Sequence, residues 1–222
     1  YRVSNTARYT ATFTPTTIAF VDDLNTKLLV NGNSTIVDDA GGGTATDFTL
    51  EAWIYPTITT YHSIFDFRSV STEEAIYLGI NLSNQIYLYV NGVVPITTSA
   101  ISLNVWTHVA VVRSSGTTKI YVNGTQSGSS WADITDYGTT KPLRIGADWS
   151  AAYGFAGYVD DVRISKGVAR YTTTFPVPTI AFVGDNDTVL LLHFTGTPNS
   201  TTILDDGVTL QDVRTNAGGF AD

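Results

Sequence analysis

Two loops carry the residue types best suited to binding a ligand. The first, residues 147–157, reads ADWSAAYGFAG and places Trp149, Tyr153 and Phe155 among glycines and alanines. Aromatic rings offer a flat π face to the C–H bonds of a sugar ring, and loops on a rigid scaffold often carry binding residues. We therefore predict a glycan site at this loop. The alternative is that the three rings plug the end of the domain.

The second loop, residues 131–137, combines acids with aromatic rings. It begins with Trp131 and ends with Tyr137, which makes both further candidates for ligand binding. The tryptophans at positions 53 and 106 fall instead in strand-like sequence. We expect Trp53 and Trp106 to lie in the core.

The titratable residues do not form a catalytic pattern. A retaining glycosidase needs two carboxyls about 5–5.5 Å apart on one surface. Glu73 and Glu74 are adjacent in a loop, and neighbouring strand residues such as 160 and 161 point to opposite faces. The sequence has no G-x-S-x-G motif and no cysteine, and its three histidines are scattered, His108 being expected to be structural. We predict a non-catalytic protein.

The elements that position these residues are short strands. Residues 105–124 read VWTHVAVVRSSGTTKIYVNG, which predicts a hairpin that is apolar on both faces and closed by an Asn-Gly turn. Residues 47–56 alternate with Phe48, Leu50, Ala52 and Ile54 on one face. No stretch has a helical period. The prediction is an all-β fold, an antiparallel two-sheet jelly-roll sandwich.

Asp160 needs an explanation because its strand, residues 157–165, is largely apolar. Strict alternation puts Asp160 on the face of Val162 and Ile164. A buried carboxylate without a partner costs several kcal/mol. One solution is that Asp160 accepts backbone N–H groups while Asp161 pairs with Arg163.

The two ends of the chain echo each other. Residues 7–30 read ARYTATFTPTTIAFVDDLNTKLLV, and residues 169–192 read ARYTTTFPVPTIAFVGDNDTVLLL. Matching positions are 162 residues apart, as in Leu28 and Leu190, which is the length of a domain rather than of a solenoid repeat. We interpret the chain as part of a tandem array. The alternative is two similar edge strands within one domain.

The tandem-array interpretation predicts four parts in the chain. Residues 1–21 are the tail of a preceding repeat with its linker, and residues 22–165 form the sandwich. Residues 166–187 are a Thr- and Pro-rich connector. Residues 188–222 either complete the sandwich or begin the next repeat.

The strand sequences resemble a known family. FTLEAWIYPT (48–57), WTHVAVVR (106–113), KIYVNG (119–124) and GYVDDVRIS (157–165) resemble the laminin G-like jelly roll of the concanavalin A-like lectin/glucanase superfamily, as found in phage tail and bacterial surface repeat proteins. The resemblance implies two antiparallel sheets and rim loops that hold calcium or sugar. It also implies that Asp160, in the VDxVRV-like strand, is a calcium ligand. Loops such as Asp38-Asp39 would then complete the six to eight oxygens of the site.

The composition of the chain argues against two kinds of binding partner, nucleic acid and the membrane interior. The net charge is −8, and no basic patch with interleaved aromatics occurs, which argues against nucleic acid. The apolar runs are far shorter than the roughly 20 residues of a membrane span, so membrane insertion is not expected. The chain begins without Met or a signal sequence, so we expect a piece of a longer protein. An acidic, Thr-, Gly- and Tyr-rich chain suggests an extracellular, cell-surface or virion location.

Three functions remain open. The first is a carbohydrate-binding adhesion module whose partner is a glycan or cell-surface polysaccharide, with calcium as a possible cofactor. The second is a structural stalk or virion assembly module that contacts neighbouring repeats or self-assembles. The third is a glycoside hydrolase, which the missing carboxylate pair disfavours.

Overall fold

Every described segment of the chain is strand, turn or loop. The computed structural model describes residues 2–4, 26–29, 47–137 and 141–194, the first two ranges as backbone strands only. Within these ranges there is no helix, and hence none that could cross a membrane. The strands are β1 (Arg2–Ser4), β2 (Thr26–Leu29), β3 (Phe48–Pro56), β4 (His62–Asp66), β5 (Tyr77–Ile80), β6 (Gln85–Val90), β7 (Val93–Ala100), β8 (Thr107–Ser114), β9 (Thr117–Val122), β10 (Thr125–Gln126), β11 (Trp131–Ala132), β12 (Arg144–Ile145), β13 (Gly157–Lys166) and β14 (Thr188–Leu192).

Two antiparallel sheets form a sandwich. The seven-stranded sheet has the order β10-β9-β8-β3-β13-β14, with β11 also paired to β9. The five-stranded sheet has the order β12-β4-β5-β6-β7. Strands β1 and β2 pair with each other in a separate ribbon. The predicted all-β jelly-roll sandwich is confirmed.

The core lies between the sheets, as the alternation predicts. Phe48, Leu50, Ala52 and Ile54 of β3 all contribute to it, facing strands β4 to β7 of the other sheet. The hairpin β8–β9 is also as expected. Asn123 and Gly124, with φ of 48° and 77°, form the next turn in the left-handed conformation that Asn-Gly favours.

A β-bulge in β13 makes the alternation prediction for Asp160 wrong. Asp160 lies opposite Trp53, but Arg163 lies opposite Glu51, so two residues of β13 face the single residue Ala52 of β3. Asp161 takes up the extra residue with φ of 47°. Because of this insertion, Asp160 shares the outer face with Tyr158, whereas the core face carries Val162 and Ile164.

The outer face of the seven-stranded sheet is partly covered by residues 167–187, which we call the strap. The sequence predicts this stretch as part of a connector, yet Tyr171 and Phe175 pack on a second apolar cluster around Ala110, Val112 and Tyr121. The rings of Tyr171 and Phe175 stack with centroids 3.5 Å apart. The strap is therefore part of the domain, and β14, which follows it, extends the sheet beside β13.

Candidate functional site

Three aromatic rings form a row on the outer face of the seven-stranded sheet, beyond the strap. The Tyr55 ring lies 5.5 Å from that of Trp106 and 5.8 Å from that of Tyr158 (centroid distances). Tyr55 and Tyr158 are register partners on β3 and β13, and Trp106 immediately precedes β8. Trp106 is 42% exposed and Tyr158 64% exposed. We call these three residues the aromatic row.

Backbone contacts hold the row in place. The Asn104 N–H donates to the carbonyl of Pro56 (2.8 Å), which ties the segment before Trp106 to the end of β3. Gly157 begins β13 with φ of 146°, and a Cβ there would lie 2.0 Å from the carbonyl oxygen of Tyr55. Only glycine therefore allows β13 to approach β3 at this point. Tyr55 and Tyr158 sit on paired strands, which position side chains more rigidly than a free loop.

The predicted aromatic loop forms a second exposed cluster. The buried Asp148 accepts the N–H of Tyr153 (3.0 Å) and the hydroxyl of Ser150 (2.6 Å). Burial raises the pKa of Asp148, but the hydrogen bonds that its carboxylate accepts outweigh this effect. The pKa of Asp148 is therefore lowered overall. The loop presents Trp149, 37% exposed, and Tyr153, 46% exposed, with the Tyr61 ring 5.4 Å from that of Tyr153.

Three predicted ligand-binding residues lie against the core instead. Phe155 is half-buried with its ring 5.0 Å from that of His62. Trp131 and Tyr137 are half-buried and packed against the core cluster. The Tyr137 hydroxyl donates to the buried carboxylate of Asp133 (3.0 Å). These rings contribute to packing and lie outside the exposed clusters, and their binding of a ligand stays a prediction.

The two exposed clusters lie at the same end of the sandwich. The Thr57 N–H and hydroxyl both donate to the carbonyl of Ala156 (3.0 and 3.1 Å), and Pro56 pairs with Gly157. The loop after β3 and the loop before β13 thus meet between the aromatic row and the cluster of Tyr61, Trp149 and Tyr153.

Asp160 lies next to the aromatic row on the same face. Its carboxylate accepts the N–H of Asp161 (2.8 Å), and His193 interacts with it electrostatically. Burial raises the pKa of Asp160, and this effect outweighs the hydrogen bond from the Asp161 N–H, which lowers it. Asp161 pairs with His193 (2.5 Å), so its predicted pairing with Arg163 is wrong.

The described residues contain no group of three or more His, Cys, Asp or Glu side chains that could hold a metal ion. Asp160 and Asp161 alone fall short of the six to eight oxygens that calcium takes. The other predicted ligands, Asp38 and Asp39, lie outside the described residues.

A buried polar cluster occupies the same sheet face beneath the strap. The Glu51 carboxylate accepts from His108 Nε2 (3.2 Å), Arg163 Nε (2.8 Å) and the Tyr171 hydroxyl (2.9 Å). Glu51 and His108 are fully buried, and the structural role expected for His108 fits this position. Burial raises the pKa of Glu51, but the His108 and Arg163 interactions outweigh it and lower the pKa overall.

The sequence interpretation missed the aromatic row. Trp106 was expected in the core, but it lies one residue outside β8 and is exposed, while Trp53 is half-buried. Tyr55 and Tyr158 are about a hundred positions apart and meet only through strand pairing. The sequence signals Tyr55, which lies on the face of β3 opposite to Phe48 and Ile54, but Tyr158 has the parity of Val162 and Ile164 and reaches the outer face only through the bulge at Asp161.

Comparison with known proteins gives the family. A family model described as the concanavalin A-like lectin/glucanases superfamily matches residues 21–170, well over half of the chain. The chain belongs to this superfamily. No curated protein matches the chain.

Solved structures resemble the chain at low identity. A candidate carbohydrate-binding protein from Bacteroides ovatus is 20% identical with a TM-score of 0.55, the match covering 76% of this chain and 52% of that one. Domains LG4-5 of the mouse laminin α1 chain are 16% identical with a TM-score of 0.44, covering 68% and 44%. Trypanosoma rangeli sialidase is 15% identical with a TM-score of 0.45, covering 57% and 21%. The chain thus spans about half of the Bacteroides ovatus protein.

Proposed function

We propose that this superfamily member is a non-catalytic carbohydrate-binding module that holds a glycan against the aromatic row. The single observation that carries the proposal is the aromatic row, in which the half-buried Tyr55 lies between the exposed rings of Trp106 and Tyr158. Exposed rings in a row suit successive sugar units, because each ring offers a face to the C–H bonds of one unit. The Bacteroides ovatus protein, a candidate carbohydrate-binding protein of the same fold, is consistent with this class of ligand.

The groups around the row support binding with specificity. Asp160 and Tyr158 are successive residues on the same face of β13. The Asp160 carboxylate can accept hydrogen bonds from sugar hydroxyls there. The cluster of Tyr61, Trp149 and Tyr153 at the same end extends the aromatic surface. A small number of polar groups beside aromatic side chains is typical of sites that orient a ligand.

The same geometry argues against turnover. Glycosidases use a pair of carboxyls that flank the scissile bond. Among the described residues, Asp160 is the carboxylate beside the row, and its neighbour Asp161 is engaged by His193. Glu51 is fully buried beneath the strap, out of reach of a polymer.

A glycan array tests the proposal. The wild-type chain should bind a defined group of glycans, and Trp106→Ala with Tyr158→Ala should weaken that binding by at least about tenfold, or about 1.4 kcal/mol, because both rings lose their stacking surface. Ile134→Ala is the matched control, since Ile134 is an exposed apolar side chain outside the row. Trp149→Ala tests the predicted loop separately. Unchanged binding in the double variant would remove the row from the site.

A calcium ion at Asp160 is a separate part of the proposal. What supports it is the half-buried carboxylate of Asp160 with a second carboxylate, that of Asp161, beside it. Calcium bound to the folded state should raise the melting midpoint by mass action, and Asp160→Asn should abolish the rise. A midpoint that is the same in millimolar calcium and in EDTA would exclude the ion.

We further propose that the module works in a longer extracellular, cell-surface or phage tail protein with neighbouring repeats. The internal echo of 162 residues supports a tandem arrangement. It equally supports a structural stalk, in which the row would contact another protein module instead of a glycan. Loss of self-association in the Trp106→Ala/Tyr158→Ala variant, measured by analytical ultracentrifugation, would favour the stalk.

A further inference from the structure

The ribbon of β1 and β2 reproduces the pairing of β13 with β14. Both pairs are antiparallel, and both show a register shift at the step before a serine, between Val3 and Ser4 and between Ile164 and Ser165. The partners in β1–β2 are Arg2↔Leu29, Val3↔Leu28 and Ser4↔Thr26, and those in β13–β14 are Arg163↔Leu191, Ile164↔Leu190 and Ser165↔Thr188. The repeat in the sequence is therefore accompanied by a repeat in the strand pairing.

The residues between these strands recur as well. Arg170 of the strap pairs with Asp185 (2.8 and 2.6 Å) and donates to the Thr188 hydroxyl (3.1 Å). The same strap places the rings of Tyr171, Phe175 and Phe182 within 6.3 Å of the His108 ring. The counterparts 162 residues earlier are, in chain order, Arg8, Tyr9, Phe13, Phe20, Asp23 and Thr26.

The N-terminal copy keeps the residue types through which the strap contacts the sheet. In the described sandwich those residues cover Glu51, His108 and Tyr121, which lie on strands upstream of the strap. Aromatic side chains at this spacing can bury their rings only where a sheet of the same kind lies beneath them.

We infer that β1 and β2 are the closing strands of a preceding copy of this unit, and that each unit in the chain is closed by a strand that follows its own strap. The partner of the N-terminal segment is thus a second copy of the unit. The unit with the aromatic row begins after Leu29 and ends with β14. This inference does not depend on the proposed glycan binding.

This boundary differs from the family match, which begins at residue 21 and so assigns Thr26–Leu29 to the sandwich of residues 47–166. In the structure that sandwich is completed by Thr188–Leu192, which contributes Leu190 and Leu192 to the core. TVLLL (188–192) therefore takes the edge of β13, whereas TKLL (26–29) pairs with β1.

Disulfide trapping in the full 222-residue chain tests the inference, because the natural sequence has no cysteine. Ile164→Cys with Leu190→Cys should form an intramolecular disulfide, since the two residues are register partners. Val3→Cys with Leu28→Cys should do the same. Ile164→Cys with Leu28→Cys is the matched control and should remain reduced. Non-reducing electrophoresis and mass spectrometry distinguish these states.

Closure of Ile164→Cys with Leu28→Cys, within one molecule or between two, would overturn the inference because it places β2 on the edge of β13. Failure of Val3→Cys with Leu28→Cys to close would overturn it too. If the variants at position 164 lose the β-sheet signal in circular dichroism, Ser165→Cys combined with either Thr188→Cys or Thr26→Cys gives the same comparison.

Discussion

At the scale of single residues, Glu51 is the centre of the buried face. Its carboxylate is held by His108, Arg163 and the strap residue Tyr171, so one charge links β3, β8, β13 and the strap. Removing one partner of a buried ion pair leaves the other charge uncompensated. The cluster therefore makes the docking of the strap depend on the ionisation of one side chain.

Glu51→Gln should lower the free energy of unfolding at pH 7 by about 3–5 kcal/mol, because Arg163 loses its buried counter-charge. Glu74→Gln, at an exposed glutamate, should change it by less than about 0.5 kcal/mol. Urea denaturation of both variants checks this prediction. A loss below about 1 kcal/mol for Glu51→Gln would mean that the pair contributes little.

The same residue predicts a pH dependence. The pKa of Glu51 is lower in the folded than in the unfolded chain, so its contribution to stability is complete above the ordinary value of 4.5 and is lost as the pH falls through the lower folded pKa. The wild type should therefore lose more stability than Glu51→Gln when the pH is lowered from 6 to 3. Parallel pH curves for the two proteins would contradict this assignment.

Asp160 shows what residue patterns cannot predict. Alternation places Val162 and Asp160 on one face, and it fails because one inserted residue at Asp161 reverses the facing of the strand. Nothing in the apolar pattern of the strand marks where such an insertion occurs. The facing of β3, which has no bulge, was predicted correctly for Phe48 to Ile54.

At the scale of elements, the strap is the feature that distinguishes this sandwich from two bare sheets. Phe175 donates its N–H to the Gly124 carbonyl (3.0 Å), and a Cβ on Gly124 would lie 2.1 Å from the Phe175 carbonyl oxygen. Gly92 occupies the equivalent position of another Asn-Gly turn, with φ of 81° and nothing within 4 Å of its Cβ position.

These two turns allow a matched prediction. Gly92→Ala should cost about 1–2 kcal/mol, because alanine is strained at positive φ. Gly124→Ala should cost more, since it adds a collision with the strap to the same backbone strain. It should also speed tryptic cleavage after Arg170, which lies in the strap. Equal unfolding free energies and equal cleavage rates for the two variants would show that the strap does not dock at this turn.

The elements themselves were largely predictable, and their assembly was not. Alternation and Asn-Gly turns predict β3 and the β8–β9 hairpin, because these signals are local. The Thr- and Pro-rich composition of the strap predicts a linker. The spacing of its aromatic residues Tyr171, Phe175 and Phe182 does not stand out against that composition. Which rings meet in the aromatic row depends on the pairing of β3 with β13, which no local pattern encodes.

At the scale of the whole molecule, one end of the sandwich carries the exposed aromatic side chains, and the strap covers part of the outer face. The aromatic row and the cluster around Tyr153 share one end, where the loops after β3 and before β13 meet. The strap and β14 complete the sheet away from that end. An array of such units would present one row per unit at a spacing fixed by the closing strands.

The crystal structure of the chain with the best glycan from the array is the most direct test of this account. We predict sugar rings packed against Tyr55, Trp106 and Tyr158, with a sugar hydroxyl within hydrogen-bond distance of Asp160. A glycan bound elsewhere on the molecule, with the aromatic row left in solvent, would contradict the account.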